Sequence, residues 1–229
     1  MKKSLLFLST SMLLSGCVSF THKNEQTFTS TSGNYADSID FDKPISEEDL
    51  FTIARTSKNE KVRLLAVQNL NDESNLFNIA SFDNDTAIVK TAVGKMKDES
   101  NLFHVATFNN NIAFKKIAVA KMHDESNLFH IASFDQDATL RNLAVTKMND
   151  QSNLFHIASF DQDATIRKLA VSKMNDQANL FHVACFDKDA ATRKQAVSKM
   201  NDQSNLNHII SFEKEAEIRE LALNQLKHN

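Results

Sequence analysis

Residues Asn149 to Met174 read Asn-Asp-Gln-Ser-Asn-Leu-Phe-His-Ile-Ala-Ser-Phe-Asp-Gln-Asp-Ala-Thr-Ile-Arg-Lys-Leu-Ala-Val-Ser-Lys-Met, and near-copies flank this stretch on both sides. Its phenylalanine recurs at Phe51, Phe77, Phe103, Phe129, Phe155 and Phe181 in steps of 26 residues, and the next copy has Asn207 there. Seven copies therefore fill residues 50 to 226. A period of this size marks a solenoid or array, in which each unit is too small to bury its own apolar face and stacking supplies the core.

Within the copy, Asp150 is placed to cap a first helix, A, in which Leu154, Ile157 and Ala158 make one apolar stripe. Asp163 is placed to cap a second, B, whose stripe is Ile166, Leu169, Ala170 and Met174. Asn175 follows, a residue able to close a helix in the left-handed conformation. Such helices are marginal alone, because short segments form too few hydrogen bonds to offset nucleation. With 3 Gly and 1 Pro, the chain lacks the turn chemistry of a sandwich or barrel. The expected fold is all-α, an α-α superhelix of about seven two-helix repeats over residues 46–229. Phe155 and Phe160 flank the inward stripe and are expected to pack against helix A of neighbouring repeats. Asp163 and Arg167 are spaced as an i, i+4 ion pair.

Helix B carries an acid, an aliphatic-Arg pair and Ala-Val, as in Asp137, Leu140-Arg141, Ala144-Val145 and Asp163, Ile166-Arg167, Ala170-Val171. This pattern resembles the HEAT and armadillo-like α-solenoids, in a version shorter than their usual repeat of about 40 residues. At that length helix A could shrink to a 3₁₀ turn. The resemblance implies a binding surface and no particular chemistry. In the last copy Asn207 replaces Phe, and Glu213, Glu215, Glu217 and Glu220 appear, as a terminal repeat requires.

The first residues have another design. Lys2 and Lys3 precede a short apolar run, Leu5 to Leu14, too short to span a bilayer, and residues 1–16 read as an export signal. Leu14-Ser15-Gly16-Cys17 resembles the lipobox of bacterial lipoproteins. That resemblance implies a mature chain beginning at an acylated, palmitate-bearing Cys17, and Val18 after it implies sorting to the outer membrane. Residues 17–45 are rich in Ser, Thr and Asn and poor in aliphatic side chains, so they read as a flexible tether. As a coil of about 26 residues it would hold the fold on the order of 30 Å from the lipid. Pro44 ends it, and Ser46-Glu47-Glu48-Asp49 starts a helix with a cap and acids in its first turn.

Removing Lys2 and Lys3 from the 26 basic residues leaves 24 against 29 acidic ones, a balance of −5. That argues against nucleic-acid binding, which rests on cation excess.

Several recurrent groups invite chemistry. His104, His130, His156, His182 and His208 occupy one outward position of helix A. Zinc would need nitrogens about 3.4 Å apart, whereas packed helices sit about 8–10 Å apart, so an exposed repeat residue is the simpler reading and a metal or ligand row the alternative. His130, Ser133, Asp135 and His156, Ser159, Asp161 have the residue types of a hydrolytic triad, but an Asp five residues on points away. The Asp-Gln-Asp motif lacks the Gly and terminal Glu of a calcium loop. Cys185 stands three residues after His182 where other repeats have Ser, and a neighbouring histidine can activate a thiol.

Helix B supplies the candidate partner-binding residues: Lys90, Lys116, Lys168 and Lys194 at one position, with Lys115, Arg141, Arg167 and Arg193 along the edge and Gly94, Ala120, Thr146, Ser172 and Ser198 nearby. Second helices usually line the concave side of an α-solenoid. The expectation is a lipid-anchored envelope protein facing the periplasm, without enzymatic activity, cofactor or metal, whose groove holds another envelope protein or peptide.

Overall fold

The computed structural model describes residues 19–21, 27–29 and 39–228. The export signal, Cys17 and most of the tether lie outside the described residues. Within the tether, β1 (Ser19–Thr21) and β2 (Thr27–Thr29) pair antiparallel, with Phe20 opposite Phe28. All else that is regular among the described residues is helix. The chain divides into two compact units, Met1–Leu70 and Asn71–Asn229.

In the first unit, α1 (Glu47–Thr56) and α2 (Glu60–Asn69) form one hairpin. Ser46 caps α1: its Oγ accepts from the Asp49 N–H at 3.1 Å and donates to Asp49 Oδ2 at 2.7 Å, which keeps Asp49 buried. Leu50, Ala54, Val62, Ala66, Val67 and Leu70 fill the interior.

The second unit holds six hairpins. The A helices are α3 (Glu73–Phe82), α5 (Glu99–Phe108), α7 (Glu125–Phe134), α9 (Gln151–Phe160), α11 (Gln177–Phe186) and α13 (Gln203–Phe212). The B helices are α4 (Thr86–Lys95), α6 (Ile112–Lys121), α8 (Ala138–Lys147), α10 (Ala164–Lys173), α12 (Ala190–Val197) and α14 (Ala216–His228). Both members of each pair are α-helical, so helix A is not reduced to a 3₁₀ turn. Asp150 caps α9 through the Asn153 N–H and Asp163 caps α10 through the Thr165 N–H, as their positions predict. The hydrogen bond from the Thr165 hydroxyl holds the Asp163 carboxyl below the usual carboxylate range.

Leu154, Ile157, Ala158, Ile166, Ala170 and Met174 are buried, as is Val171, while Leu169 is half-buried. Successive B helices pack more closely on each other than successive A helices do, which puts helix B on the inner side of this unit.

The end of helix B departs from expectation. Met174, its C-cap, is extended at φ −72° and ψ 150°, and the Asn175 N–H turns to Gln151 Oε1 rather than back onto the helix. The unpaired C-terminal carbonyls are met from the next repeat instead: Lys147 Nζ donates to Ala120 O at 2.7 Å and Lys173 Nζ to Val145 O at 3.2 Å. Lys121 reaches Gly94 O and Lys199 reaches Ser172 O in the same way, and Gln225 Nε2 takes the lysine's place on Ser198 O. A second set ties the B-to-A loops. Glu73 accepts the Lys97 and Asp98 N–H groups, Glu99 those of His123 and Asp124, and Gln151 Oε1 that of Asn175 at 2.8 Å.

The third set is ionic. Arg167 Nε and Nη2 donate to the two carboxylate oxygens of Asp187 in the next repeat at 2.7 and 2.9 Å, and Nη1 donates to Asp161 O at 3.0 Å in its own loop. Arg141 holds Asp161 at 2.9 and 3.3 Å, and Arg193 holds Glu213 at 2.8 and 3.1 Å. Arg167 thus pairs 20 residues ahead, not with Asp163.

Breaking such a pair strands a buried charge. Asp187→Ala is expected to destabilise the chain by roughly 3–5 kcal/mol, read from the urea midpoint, while adding Arg167→Met restores most of the loss. Acid should act through Glu213. Burial alone would raise its pKa, but the hydrogen bonds from Arg193 and the Glu215 N–H hold it below the ordinary value. Its contribution is therefore present above the unfolded carboxylate pKa of about 4.3 and is lost as pH falls through the lower folded value. Arg193→Met removes the strongest contact opposing burial and leaves only the Glu215 and Lys214 N–H groups against it, and loss of helical circular dichroism on acidification should then begin at higher pH. Coincident titrations would contradict this.

Candidate functional site

The two helices of each repeat divide the charge between them. The A helices of the second unit contain no Lys or Arg, and their only acids, Glu73, Glu99 and Glu125, turn to the following loop. The cationic side chains of this unit's helices all stand on helix B.

On the inner side, Lys90 and Lys168 are exposed, Lys116 is half-buried and Lys194 pairs with Glu217. Asn142 interrupts the row. Gly94, Ala120, Thr146, Ser172 and Ser198 are exposed beside it, and a Cβ added at Gly94 would meet nothing within 4 Å. The hydroxyls of Thr146 and Ser172 turn back onto Asn142 O and Leu169 O of their own helices. The result is an open surface of small side chains crossed by ammonium groups.

The three arginines assigned to this surface do not belong to it. Arg141 and Arg167 are 4% and 2% exposed, and the Arg193 side chain is 14% exposed. Their donors are taken by Asp161, Asp187, Glu213 and loop carbonyls, so a partner could reach them only by breaking the stack. Asp187 and Glu213 raise the pKa of Arg167 and Arg193, as tight pairing requires. Sequence reasoning missed the spacing that identifies them. Lys115 and Asp135, Arg141 and Asp161, Arg167 and Asp187, and Arg193 and Glu213 each stand 20 residues apart, and where helix B has Val89 the matching loop residue is Asn109.

The A side also differs from expectation. Phe82, Phe108, Phe134, Phe160, Phe186 and Phe212 are 65–75% exposed, so this row does not pack between helices. The other row is half-buried, and Phe77, Phe103, Phe129, Phe155 and Phe181 of the second unit meet the histidines. His182 lies edge-on to Phe155 of the preceding repeat at 5.2 Å and tilted against Phe186 at 4.9 Å. His104, His130, His156 and His208 repeat the arrangement with their own pairs of phenylalanines. The histidines stand one per repeat, and no cluster of three or more His, Cys, Asp or Glu suited to a metal occurs among the described residues.

The triad types do not converge. His130 stacks on Phe103 and Phe134, the Ser133 hydroxyl is buried without a partner, and Asp135 takes Lys115 and the Asp137 N–H. Ser81 and Ser159 are buried in the same way, a position that Cys185 fills in its repeat. Burial, followed by the charge of Glu213, pushes the Cys185 thiol up, the opposite of activation by His182.

No protein-family model and no curated protein matches the chain. Among solved structures it is similar to one described as a leucine-rich repeat variant with a novel repetitive protein structural motif, at a TM-score of 0.57 and 20% identity over 80% of this chain and 72% of that one. Likeness at that identity shows the fold alone, an all-α repeat solenoid.

Since the thiolate is the nucleophile, alkylation of Cys185 by iodoacetamide at pH 8 should be at least about tenfold slower in the folded chain than in urea. Peptide mass mapping checks this, and equal rates would contradict the burial account.

Proposed function

We propose that the chain is a lipid-anchored scaffold of the cell envelope, without catalytic activity, whose helix B surface receives an acidic or extended segment of another envelope protein. The observation that carries the reading is the separation of charge. The arginines and the last-turn lysines are spent inside the stack, and Lys90, Lys116 and Lys168 remain on an open floor of small residues. Exposed ammonium groups steer an acidic partner without demanding one fixed geometry, which suits an extended polypeptide.

Anchoring rests on the resemblance of Leu14-Ser15-Gly16-Cys17 to a lipobox, and placement in the outer membrane, facing the periplasm, on Val18 after it. Two or more acyl chains give lasting attachment. Kinship with HEAT or armadillo-like proteins is supported by the helix B pattern, and a repeat stack with a continuous side surface is consistent with protein binding. The acidic balance of the chain speaks for a protein partner over nucleic acid.

Crosslinking in intact cells identifies the partner, and capture from membranes then tests the surface. Changing Lys90, Lys116 and Lys168 together to Glu should weaken capture at least about tenfold, and wild-type capture should fall as salt rises. Undiminished capture by the triple variant would remove this surface from the function. Separately, Cys17→Ala should move the chain out of the membrane fraction.

A further inference from the structure

Each A helix of the second unit presents an outermost line of side chains: Ser152, His156 and Phe160 in α9, and Ala178, His182 and Phe186 in α11. Six such lines lie side by side. On a chain with 24% charged residues, they contain no Lys, Arg, Asp or Glu. They do contain phenylalanines 65–75% exposed, one per repeat. A contiguous uncharged band with one exposed phenylalanine per repeat marks an interaction surface.

We propose that this band rests on the lipid surface of the membrane that holds the chain, with Phe108, Phe134, Phe160 and Phe186 entering the boundary between headgroups and acyl chains. The proposal builds on the lipid-anchor reading above. Three observations select lipid as the occupant. The band has no fixed charge, so lowering it into the boundary desolvates no ion. Its backbone polar groups are already bonded within helices, and each outer imidazole packs its ring against two phenylalanines, while the ring nitrogens and the serine hydroxyls stay at headgroup level, where water and lipid polar groups can bond them.

The third observation is the length of chain between Cys17 and the fold. On the lipid-anchor reading only the short stretch from Val18 to Pro44 separates the acylated residue from the fold, which confines the chain near the bilayer, where a weak contact is strengthened by high effective concentration. A protein hot spot would instead favour Trp, Tyr or Arg seated in pockets, and here the rings stand in single file. Docked in this way, the chain would turn helix B and its lysines away from the lipid.

The chain contains no tryptophan, so single reporters are read without background. Phe160→Trp on the band and Lys168→Trp on the opposite side are each introduced into the full chain and mixed with an excess of brominated phosphatidylcholine vesicles. The Phe160→Trp signal should be quenched at least about twofold relative to unbrominated vesicles, equally with zwitterionic and anionic lipid and at any salt, while Lys168→Trp stays unchanged. Adding Phe134→Ser and Phe186→Ser should abolish the quenching. Flotation with vesicles, compared with Cys17→Ala, reports the anchor separately, and the contrast between reporters decides the band whether or not the chain floats. No quenching at Phe160→Trp, or equal quenching at both reporters, overturns the proposal. Absence of quenching in a dimeric chain would show that a second copy covers the band, which overturns it as well.

Discussion

The guanidinium of Arg167 holds one hairpin to the next, gripping the carboxylate of Asp187 with two donors while a third binds the carbonyl of Asp161 in its own loop. Each acid in turn bonds an N–H of its own loop, as Asp187 does that of Asp189 at 2.8 Å. Loop shape and repeat spacing are thus fixed by the same group. A guanidinium suits this work because its planar fork matches a carboxylate and cannot lose its proton. Buried pairs of this kind contribute more to choosing one register than to net stability, since desolvation offsets most of the attraction. Stability comes from the small apolar core that the register brings together: Leu154, Ile157, Ile166, Val171 and Met174 and their equivalents.

That arrangement decides what is left over for function. Because the arginines and the last-turn lysines act between repeats, the exposed Lys90 and Lys168 and the half-buried Lys116 are left without such a role on the inner side, beside Lys194 in its pair with Glu217. Because the A helices of the second unit carry no Lys or Arg and spend their acids on loop N–H groups, their outer side is left chiefly to Phe, His and Ser. Two surfaces of opposite character, one cationic and one uncharged and aromatic, follow from a single 26-residue sentence repeated along the chain.

The helices, their caps and their buried stripes were legible because each obeys a local rule. Asp150 and Asp163 cap as their positions demand, and Leu154, Ile157 and Ala158 share a face through the helical period. What escaped depends on the neighbouring repeat. Phe160 sits beside the inward stripe on a helical wheel, yet it ends its helix where nothing from the next repeat covers it. Arg167 has a near acid at Asp163 and a far one at Asp187, and only the 20-residue offset, with Val89 and Asn109 changing together, tells them apart. Lys121, Lys147, Lys173 and Lys199 look like a solvated edge until the bare carbonyls of the preceding helix are considered. Burial lowers the pKa of Lys173 and Lys199, a sign that they are partly withdrawn from water.

If contacts between repeats carry the fold, a hairpin removed from its neighbours must lose it. Circular dichroism of a peptide spanning Asn149 to Met174, compared with the intact chain in the same buffer, measures this directly. The account predicts a peptide that is mostly coil and shows no cooperative melting, beside an intact chain that is strongly helical and melts cooperatively. A peptide as helical and as stable as the intact chain would contradict it.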